Sequence, residues 1–207
     1  MIEINVFIKN PEKITKMLGV DANKAVVGGM KFAMKRSLRD LGHYIAFKKL
    51  RGQVLKRREG LLSGSIQLSG AQGNVVTSGD GMTGTLGTNM EYAVIQEYGG
   101  TIRPKHGKYL AIPISRKYGG QALTDKGRSR GKPEDFKDTF FAVSKKGNLI
   151  MFGKYNGKVV PLFAMKKEVK IPKRPYMKPS LEEKAGDILK FFSEDIQKHI
   201  EKIWRVA

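Results

Sequence analysis

The sequence predicts an α+β fold: a long helix in the N-terminal half and a C-terminal amphipathic helix that pack on an antiparallel β-sheet. Three observations predict it: period-two strand patterns, two apolar stripes at helical spacing, and turn sequences between short apolar runs. The chain has 207 residues, 40% of them hydrophobic and 28% charged, which is a globular balance. Because this length suits one ordinary domain, we expect a single domain over residues 1–207.

The N-terminal part is predicted to contain a strand over 2–8, a short helix over 11–18 and a long helix that begins near Asp21. In the strand, every second side chain is Ile or Val, the period of a strand with one buried face. In the long helix, apolar residues recur at three- and four-residue steps as far as Ile45. One face of this helix is therefore expected to be buried, and the other carries Lys31, Lys35 and Arg39.

The middle of the chain alternates β-prone pieces with turns. Strands are expected at 65–68, 75–77, 83–86, 109–114, 140–143, 149–152 and 159–165. A short helix over 92–98 is expected to end at Gly99. Residues 115–138 hold seven basic and four acidic side chains with almost no periodicity, which predicts a mobile inserted loop. After Pro175, Ser180 and Glu183 have the spacing of a capping box, so we expect the last helix to begin at Ser180.

The charge of the chain is strongly positive and unevenly distributed. Lys and Arg outnumber Asp and Glu by 39 to 19, a formal net charge of +20. Residues 31–60 hold ten basic against two acidic side chains, residues 139–179 ten against one, and residues 61–100 no Lys or Arg. This segregation predicts a basic surface that faces phosphates or an acidic neighbour. The alternative is an ordinary surface of solvated lysines. The basic side chains expected to face DNA or a partner are Lys31, Lys35, Arg39, Arg128, Arg130 and Lys132.

The residues that usually carry chemistry form no recognisable pattern. The chain has no cysteine and three scattered histidines, so no sequence-level metal motif exists. Gly79, Gly81 and Gly84 spell G-x-G-x-x-G, but no helix is predicted after them, so we interpret Asp80-Gly81 as a hairpin turn. No cluster of carboxylates suits a metal-dependent nuclease, and no G-x-S-x-G suits acyl transfer. We therefore expect no catalytic residue, no cofactor and no metal, although an active site dispersed along the sequence stays open.

No apolar run approaches the about 18 residues that a membrane span requires. The N-terminal residues also lack a basic region followed by an apolar stretch, so we expect a soluble protein without an export signal.

Three segments are more informative together than singly: LKRREGLLSGSI at 55–66, YAVIQEYGG at 92–100 and IPKRPYMKPSLEE at 171–183. In this order they resemble the neck and tail-completion family of tailed bacteriophages, which includes virion-morphogenesis and minor tail proteins. The resemblance covers about residues 21–200 and departs from the compact pattern chiefly at 115–138. The family signature falls on Leu62, Ser65, Ile66, Tyr92, Ala93, Glu97, Gly99, Arg174, Pro175 and Tyr176.

The resemblance implies a structural, non-enzymatic role at the head–tail interface, as a neck, tail-terminator or tail-completion protein. It implies several copies in a cyclic ring around the DNA passage. The implied partners are the chain itself, neighbouring neck and tail proteins, and DNA through nonspecific charge, with no membrane. The implied location is the virion, assembled in the bacterial host cytoplasm. Two alternatives stay open: a stand-alone basic nucleic-acid-binding protein and a phosphodiester-cleaving enzyme.

Two signature residues also suggest a specific contact. A short helix that ends at Gly99 places the carboxylate of Glu97 near the carbonyl end, where a negative charge is unfavourable unless it is paired. We therefore expect Glu97 and Arg174 to form a partly buried, bidentate ion pair, the alternative being two independent surface charges.

Overall fold

The computed structural model describes residues 1–9, 20–55, 60–78, 81–114, 120–123, 130–155 and 157–204. Its helices and antiparallel strands confirm the α+β class. The chain divides into two compact units: the first comprises Met1–Gly99 and Lys173–Ala207, and the second comprises Gly100–Pro172. Each unit has its own buried core, and a single domain over residues 1–207 stays a prediction.

The first unit contains the four described α-helices and a three-stranded sheet. In chain order its elements are β1 Ile2–Lys9, α1 Val20–Phe47, a 3-10 turn Lys49–Arg51, α2 Leu61–Gln72, β2 Asn74–Ser78, β3 Gly81–Thr88, α3 Glu91–Tyr98 and α4 Lys178–Trp204. The sheet order is β1-β3-β2, with both pairs antiparallel. The predicted short helix over 11–18 lies outside the described residues.

Helix α1 forms the centre of the first unit. The apolar stripe predicted from the sequence is buried along its whole length, from Val26 to Ile45, with Leu38 and Leu41 fully inaccessible. Helices α2 and α4 pack along α1, and β3 lies against it. Gly84 of β3 lies so close to α1 that an added Cβ would be 2.5 Å from the Met34 sulfur. Gly81 and Gly84 therefore belong to a strand packed on a helix. Of the predicted turn Asp80-Gly81, Asp80 lies outside the described residues and Gly81 is the first residue of β3.

The strand predicted at 65–68 is wrong, because these residues belong to helix α2. Leu62 and Ile66 are four residues apart and both are buried against the core, which is the spacing of one helix face. Gly70 allows the close approach of α1: a Cβ there would be 2.6 Å from the carbonyl oxygen of Leu38. The helix is bounded by left-handed glycines, Gly60 and Gly73, so tertiary packing overrides the weak local preference of a Ser- and Gly-rich segment.

The second unit is built from strands. They are β4 Gly100–Ile102, β5 Leu110–Pro113, β6 Phe140–Val143, β7 Leu149–Tyr155, β8 Lys158–Lys166 and β9 Val169–Ile171. Strands β4 and β9 form a two-stranded sheet, and the order of the larger sheet is β5-β8-β7-β6. The hairpins predicted over 140–165 are confirmed. A small core of Met151, Phe163, Leu162 and Ala122 lies on this sheet.

The inserted segment 115–138 is described in part. Residues 115–119 and 124–129, which include Arg128, lie outside the described residues. Ala122 is fully buried in the core of the second unit, and the amide of Arg130 donates a hydrogen bond to the Ala122 carbonyl at 2.8 Å. Pro133–Asp135 forms a 3-10 turn. Residues 120–123 of the segment are thus packed into the second unit, whereas none of the described residues 130–138 is buried.

Candidate functional site

The three sequence segments that carry the resemblance meet in the first unit. Leu62 and Ile66 of α2, Ala93 of α3 and Tyr176 before α4 all belong to one buried cluster. These residues are far apart in the sequence, so only the fold brings them together. We call the contact region of Ser65, Thr88, Ala93, Glu97 and Tyr176 the α3–α4 junction.

On one side of the junction, a hydroxyl pair connects α2 to the start of α3. The hydroxyl oxygens of Ser65 and Thr88 lie 2.7 Å apart. The same Thr88 oxygen accepts the backbone N–H of Met90 at 3.2 Å, and Met90 immediately precedes α3. Thr88 is buried, so the bond gives its hydroxyl a partner away from water and fixes the turn from strand to helix.

On the other side, α3 packs against the chain that leads into α4. Ala93 and Tyr176 have no accessible surface, and the Tyr176 hydroxyl donates a hydrogen bond to the Ala93 carbonyl at 3.3 Å. Burial and the nearby charge of Glu97 raise the pKa of Tyr176 well above its ordinary value. The phenol therefore remains a proton donor, which is the role this contact requires.

Glu97 is the centre of the junction and is 2% exposed. Its carboxylate accepts three backbone N–H groups: those of Tyr176 at 2.6 Å, Met177 at 3.0 Å and Lys178 at 3.3 Å. These amides precede or begin α4, where N–H groups have no partner within the helix. A negative charge is favourable at this end of a helix, so Glu97 caps α4 from a different helix.

The predicted ion pair between Glu97 and Arg174 is wrong. The side chain of Arg174 is exposed, and no ion pair joins it to Glu97 in the described part of the chain. Only the backbone of Arg174 contributes, through an N–H that donates to the Gln96 carbonyl at 2.9 Å. Fixed backbone donors satisfy the buried carboxylate without the burial of a guanidinium group and the ordering of its long side chain, which explains the outcome.

The remaining signature residues have simpler positions. Gly99 ends α3 with a φ of 73°, a conformation that favours glycine. Its N–H donates to the Ile95 carbonyl at 3.0 Å. Pro175 is half-buried, and Tyr92 lies in the first turn of α3 with 44% of its surface exposed.

The predicted capping box of α4 is also wrong. The helix begins at Lys178, so Ser180 lies inside its first turn, where its hydroxyl donates to the Tyr176 carbonyl at 2.5 Å. Glu183 points instead to the end of α1, where it accepts hydrogen bonds from Lys49 Nζ at 2.7 Å and from the Tyr44 hydroxyl at 2.5 Å. The hydrogen bond from Lys49 has the larger effect and that from Tyr44 the smaller one, and together they hold the pKa of Glu183 below its ordinary value. The start of α4 is thus capped by Glu97 and not by the predicted capping box.

Polar contacts also hold α4 to α1 farther along. Arg36 forms ion pairs with Glu194 at 3.0 Å and with Asp195 at 3.1 Å. Its guanidinium lies 4.1 Å from the centre of the Phe191 ring, a cation–π geometry. The sequence patterns did not predict this cluster. Its only signal in the sequence is a basic residue, Arg36, at the edge of the apolar face of α1.

The basic residues predicted to face a partner fall in both units. Lys31, Lys35 and Arg39 are exposed along one face of α1, as predicted. In the second unit, Arg130 donates to the Leu123 carbonyl at 3.3 Å, and Lys132 lies 3.5 Å from Glu134 in an exposed ion pair. The sixth residue of the set, Arg128, is outside the described residues.

The α3–α4 junction orders helix ends and holds no exposed nucleophile or acid. Among the residues that the structure describes, no group of three His, Asp or Glu side chains is placed to hold a metal ion, and no helix is both long and apolar enough to cross a membrane. The fold and the junction define an α+β protein whose signature residues serve mainly to position helices. No protein-family model, no curated protein and no solved structure matches this chain.

Proposed function

We propose that this chain is a structural subunit of a tailed-bacteriophage particle, at the interface between head and tail. In this proposal it is a neck, tail-terminator or tail-completion protein, present in several copies in a ring around the DNA passage and located in the virion. It acts by shape and charge and catalyses no reaction.

One observation carries the proposal: the three segments that resemble the neck and tail-completion family form a single physical unit. If the resemblance were accidental, nothing would require residues at 62–66, 93–97 and 174–177 to share contacts. Instead, Ser65 reaches the turn before α3, and Glu97 of α3 caps the start of α4. The three segments therefore form one structural unit, and this supports the proposal that the resemblance is not accidental.

The chemistry of the junction supports a structural role. Seven of the ten signature residues are used inward, for packing, capping or a helix end. A binding or catalytic signature would instead present its side chains to a cleft. The formal charge of +20 favours a position beside an anionic neighbour, since identical copies repel each other without one.

A nonsense codon at Lys24 in the gene, carried by its phage or prophage, tests the proposal. The lysate would be examined by electron microscopy after infection or induction. We expect filled heads and separate or malformed tails, because the joining part is missing. The matched control is the same phage in a suppressor host, where normal particles should return. Normal, infectious particles in the non-suppressing host would overturn the proposal.

Complementation from a plasmid connects the phenotype to the junction. A copy with Glu97→Ala should fail to restore joined particles at elevated temperature, because the start of α4 loses its cap. A copy with Glu182→Gln should restore them, since it also removes one negative charge, but at an exposed position in α4. If both copies restored joined particles equally well, the capped junction would not be required for joining.

A further inference from the structure

We propose that one end of the four-stranded sheet in the second unit is a binding surface for the phosphate backbone of duplex DNA. The surface comprises Lys108, Lys145, Lys146, Lys166 and Lys167, which we call the basic end. The DNA contacts predicted from the sequence lie elsewhere, on α1 and in the segment 115–138. This inference stands apart from the joining role, since DNA binding in solution and particle assembly are measured separately.

The strand register brings these lysines together. Lys145 and Lys146 lie in the turn between β6 and β7, and Asn148 closes that turn with an N–H bonded to the Ser144 hydroxyl at 3.1 Å. Leu149 of β7 pairs with Met165 of β8, so the turn lies beside the last residues of β8.

At the same end of the sheet, β8 contacts both of its neighbours, β7 and β5. Lys166 donates a hydrogen bond to the Asn148 side chain. On its other side, Lys166 is the register partner of Leu110 in β5, so Lys108 precedes β5 at the same end of the sheet. The basic end is thus assembled from three different parts of the sequence.

Within the part of the chain that the structure describes, the charge at the basic end is uncompensated. None of its five lysines has an ion-pair partner among the described residues, and all but Lys166 are exposed. The acid next to it in the sequence, Glu168, is held by Arg103 at 3.1 Å.

The second unit as a whole also carries an excess of positive charge. It holds 17 Lys and Arg against five Asp and Glu, a net charge of +12 over 73 residues. The first unit holds 22 against 14, a net charge of +8 over 134 residues. The net charge per residue is therefore between two and three times higher in the second unit, although α1 carries the more regular row of basic residues.

The dimensions suit a duplex. Neighbouring strands lie about 4.8 Å apart, so the end of a four-stranded sheet is roughly 14 Å wide. A duplex carries one phosphate charge per about 1.7 Å of its axis, which gives roughly eight charges over that width. Flexible lysines on turns reach such charges without reading base edges, so the binding is nonspecific in sequence.

The composition favours DNA over an acidic protein. The basic end contains five lysines and no arginine, whereas protein interfaces are enriched in arginine and depleted in lysine. Carboxylate recognition likewise favours the bidentate guanidinium group.

Fluorescence anisotropy with the full chain tests the proposal. The probes are labelled duplexes of about 20 base pairs, roughly two helical turns, in two unrelated sequences. Binding is titrated between about 50 and 200 mM KCl. The test variant replaces Lys108, Lys145, Lys146 and Lys167 with Gln. The matched control replaces Lys24, Lys31, Lys35 and Arg39 of α1 with Gln. Each variant removes four positive charges from the formal +20, and circular dichroism verifies that both are folded.

We expect the wild-type chain to bind both duplexes with the same affinity and a steep salt dependence. The test variant should lose about 0.9 from the slope of log K against log salt for each phosphate contact removed, a total of about 2–4. The α1 variant should lose clearly less. An equal loss in the two variants would show that only net charge matters and would overturn the proposal. Binding to poly-L-glutamate without binding to duplex at low salt would overturn it in favour of an acidic protein partner.

Discussion

Replacement of Glu97 by Gln tests the main structural conclusion, that this carboxylate holds the start of α4. The variant keeps the shape of the side chain and removes its charge. One of the two Glu97 oxygens accepts the amides of Tyr176 and Met177, and the other accepts the amide of Lys178. The Gln oxygen can keep the first two bonds, but its NH₂ group then faces the third amide, and both are donors.

The magnitude follows from these three bonds. A hydrogen bond to a charged group contributes about 1.5–3 kcal/mol, roughly twice the neutral value. Two weakened bonds and one lost bond would cost more than about 3 kcal/mol if they added fully. Relief of the buried charge offsets part of this cost. We therefore expect Glu97→Gln to lower the free energy of unfolding by about 2–3 kcal/mol. Glu97→Ala leaves all three amides unpaired and should cost about 3–5 kcal/mol.

Urea and thermal unfolding followed by far-ultraviolet circular dichroism measure the effect. The signal reports the first unit, because the described α-helices all belong to it. For a chain of this size the Gln variant should melt about 4–12 °C below the wild type. The matched control is Glu182→Gln, an exposed position in α4, with an expected change within about 0.5 kcal/mol. If Glu97→Gln changed stability no more than this control does, the capping role would be refuted.

Three further predictions use the same unfolding assay. Gly70→Ala should destabilise the fold by about 1–3 kcal/mol, since its Cβ would meet an α1 carbonyl oxygen at 2.6 Å. Gly64→Ala in the same helix meets nothing within 4 Å and should stabilise the fold by about 0.5–1 kcal/mol. If Gly64→Ala were the more destabilising of the two changes, the close packing of α2 on α1 would be contradicted. Because the folded pKa of Glu183 is lowered, its stabilisation is present above its ordinary pKa and is lost as pH falls through the lowered value. Glu183→Gln should therefore reduce the loss of stability between about pH 5 and about pH 3, and an unchanged pH profile would argue against it. Tyr92→Ala and Arg174→Ala should each cost no more than about 1 kcal/mol, since both side chains are exposed; a larger loss would mean that they support the fold.

Long elements with a strong period could be predicted from the sequence. The stripe from Val26 to Ile45 specifies α1, because a regular spacing over many turns leaves one burial pattern. The hairpins over 140–165 follow from turn residues between short apolar runs. In both cases neighbouring residues determine the element, so it can be predicted without knowledge of the fold.

The errors arose where partners distant in the sequence decide the structure. Residues 65–68 have little intrinsic preference, and their helix depends on close contact between Gly70 and α1. The partner of Glu97 was misjudged because its amides lie some 80 positions away, and a backbone N–H carries no residue-specific signal in the sequence.

The signature residues fall into two groups once their contacts are known. Glu97 and Tyr176 are used inside the first unit, so the fold itself explains why an acceptor-only carboxylate and a buried phenol stand there. Tyr92 and Arg174 differ, because their side chains are exposed beside the junction, and we therefore expect the fold not to depend on them. Tyrosine and arginine are also the residue types that most often dominate binding at protein interfaces. In the proposed particle, the inward group would fix the α3–α4 junction and the outward pair would lie on the surface where a neighbouring subunit packs.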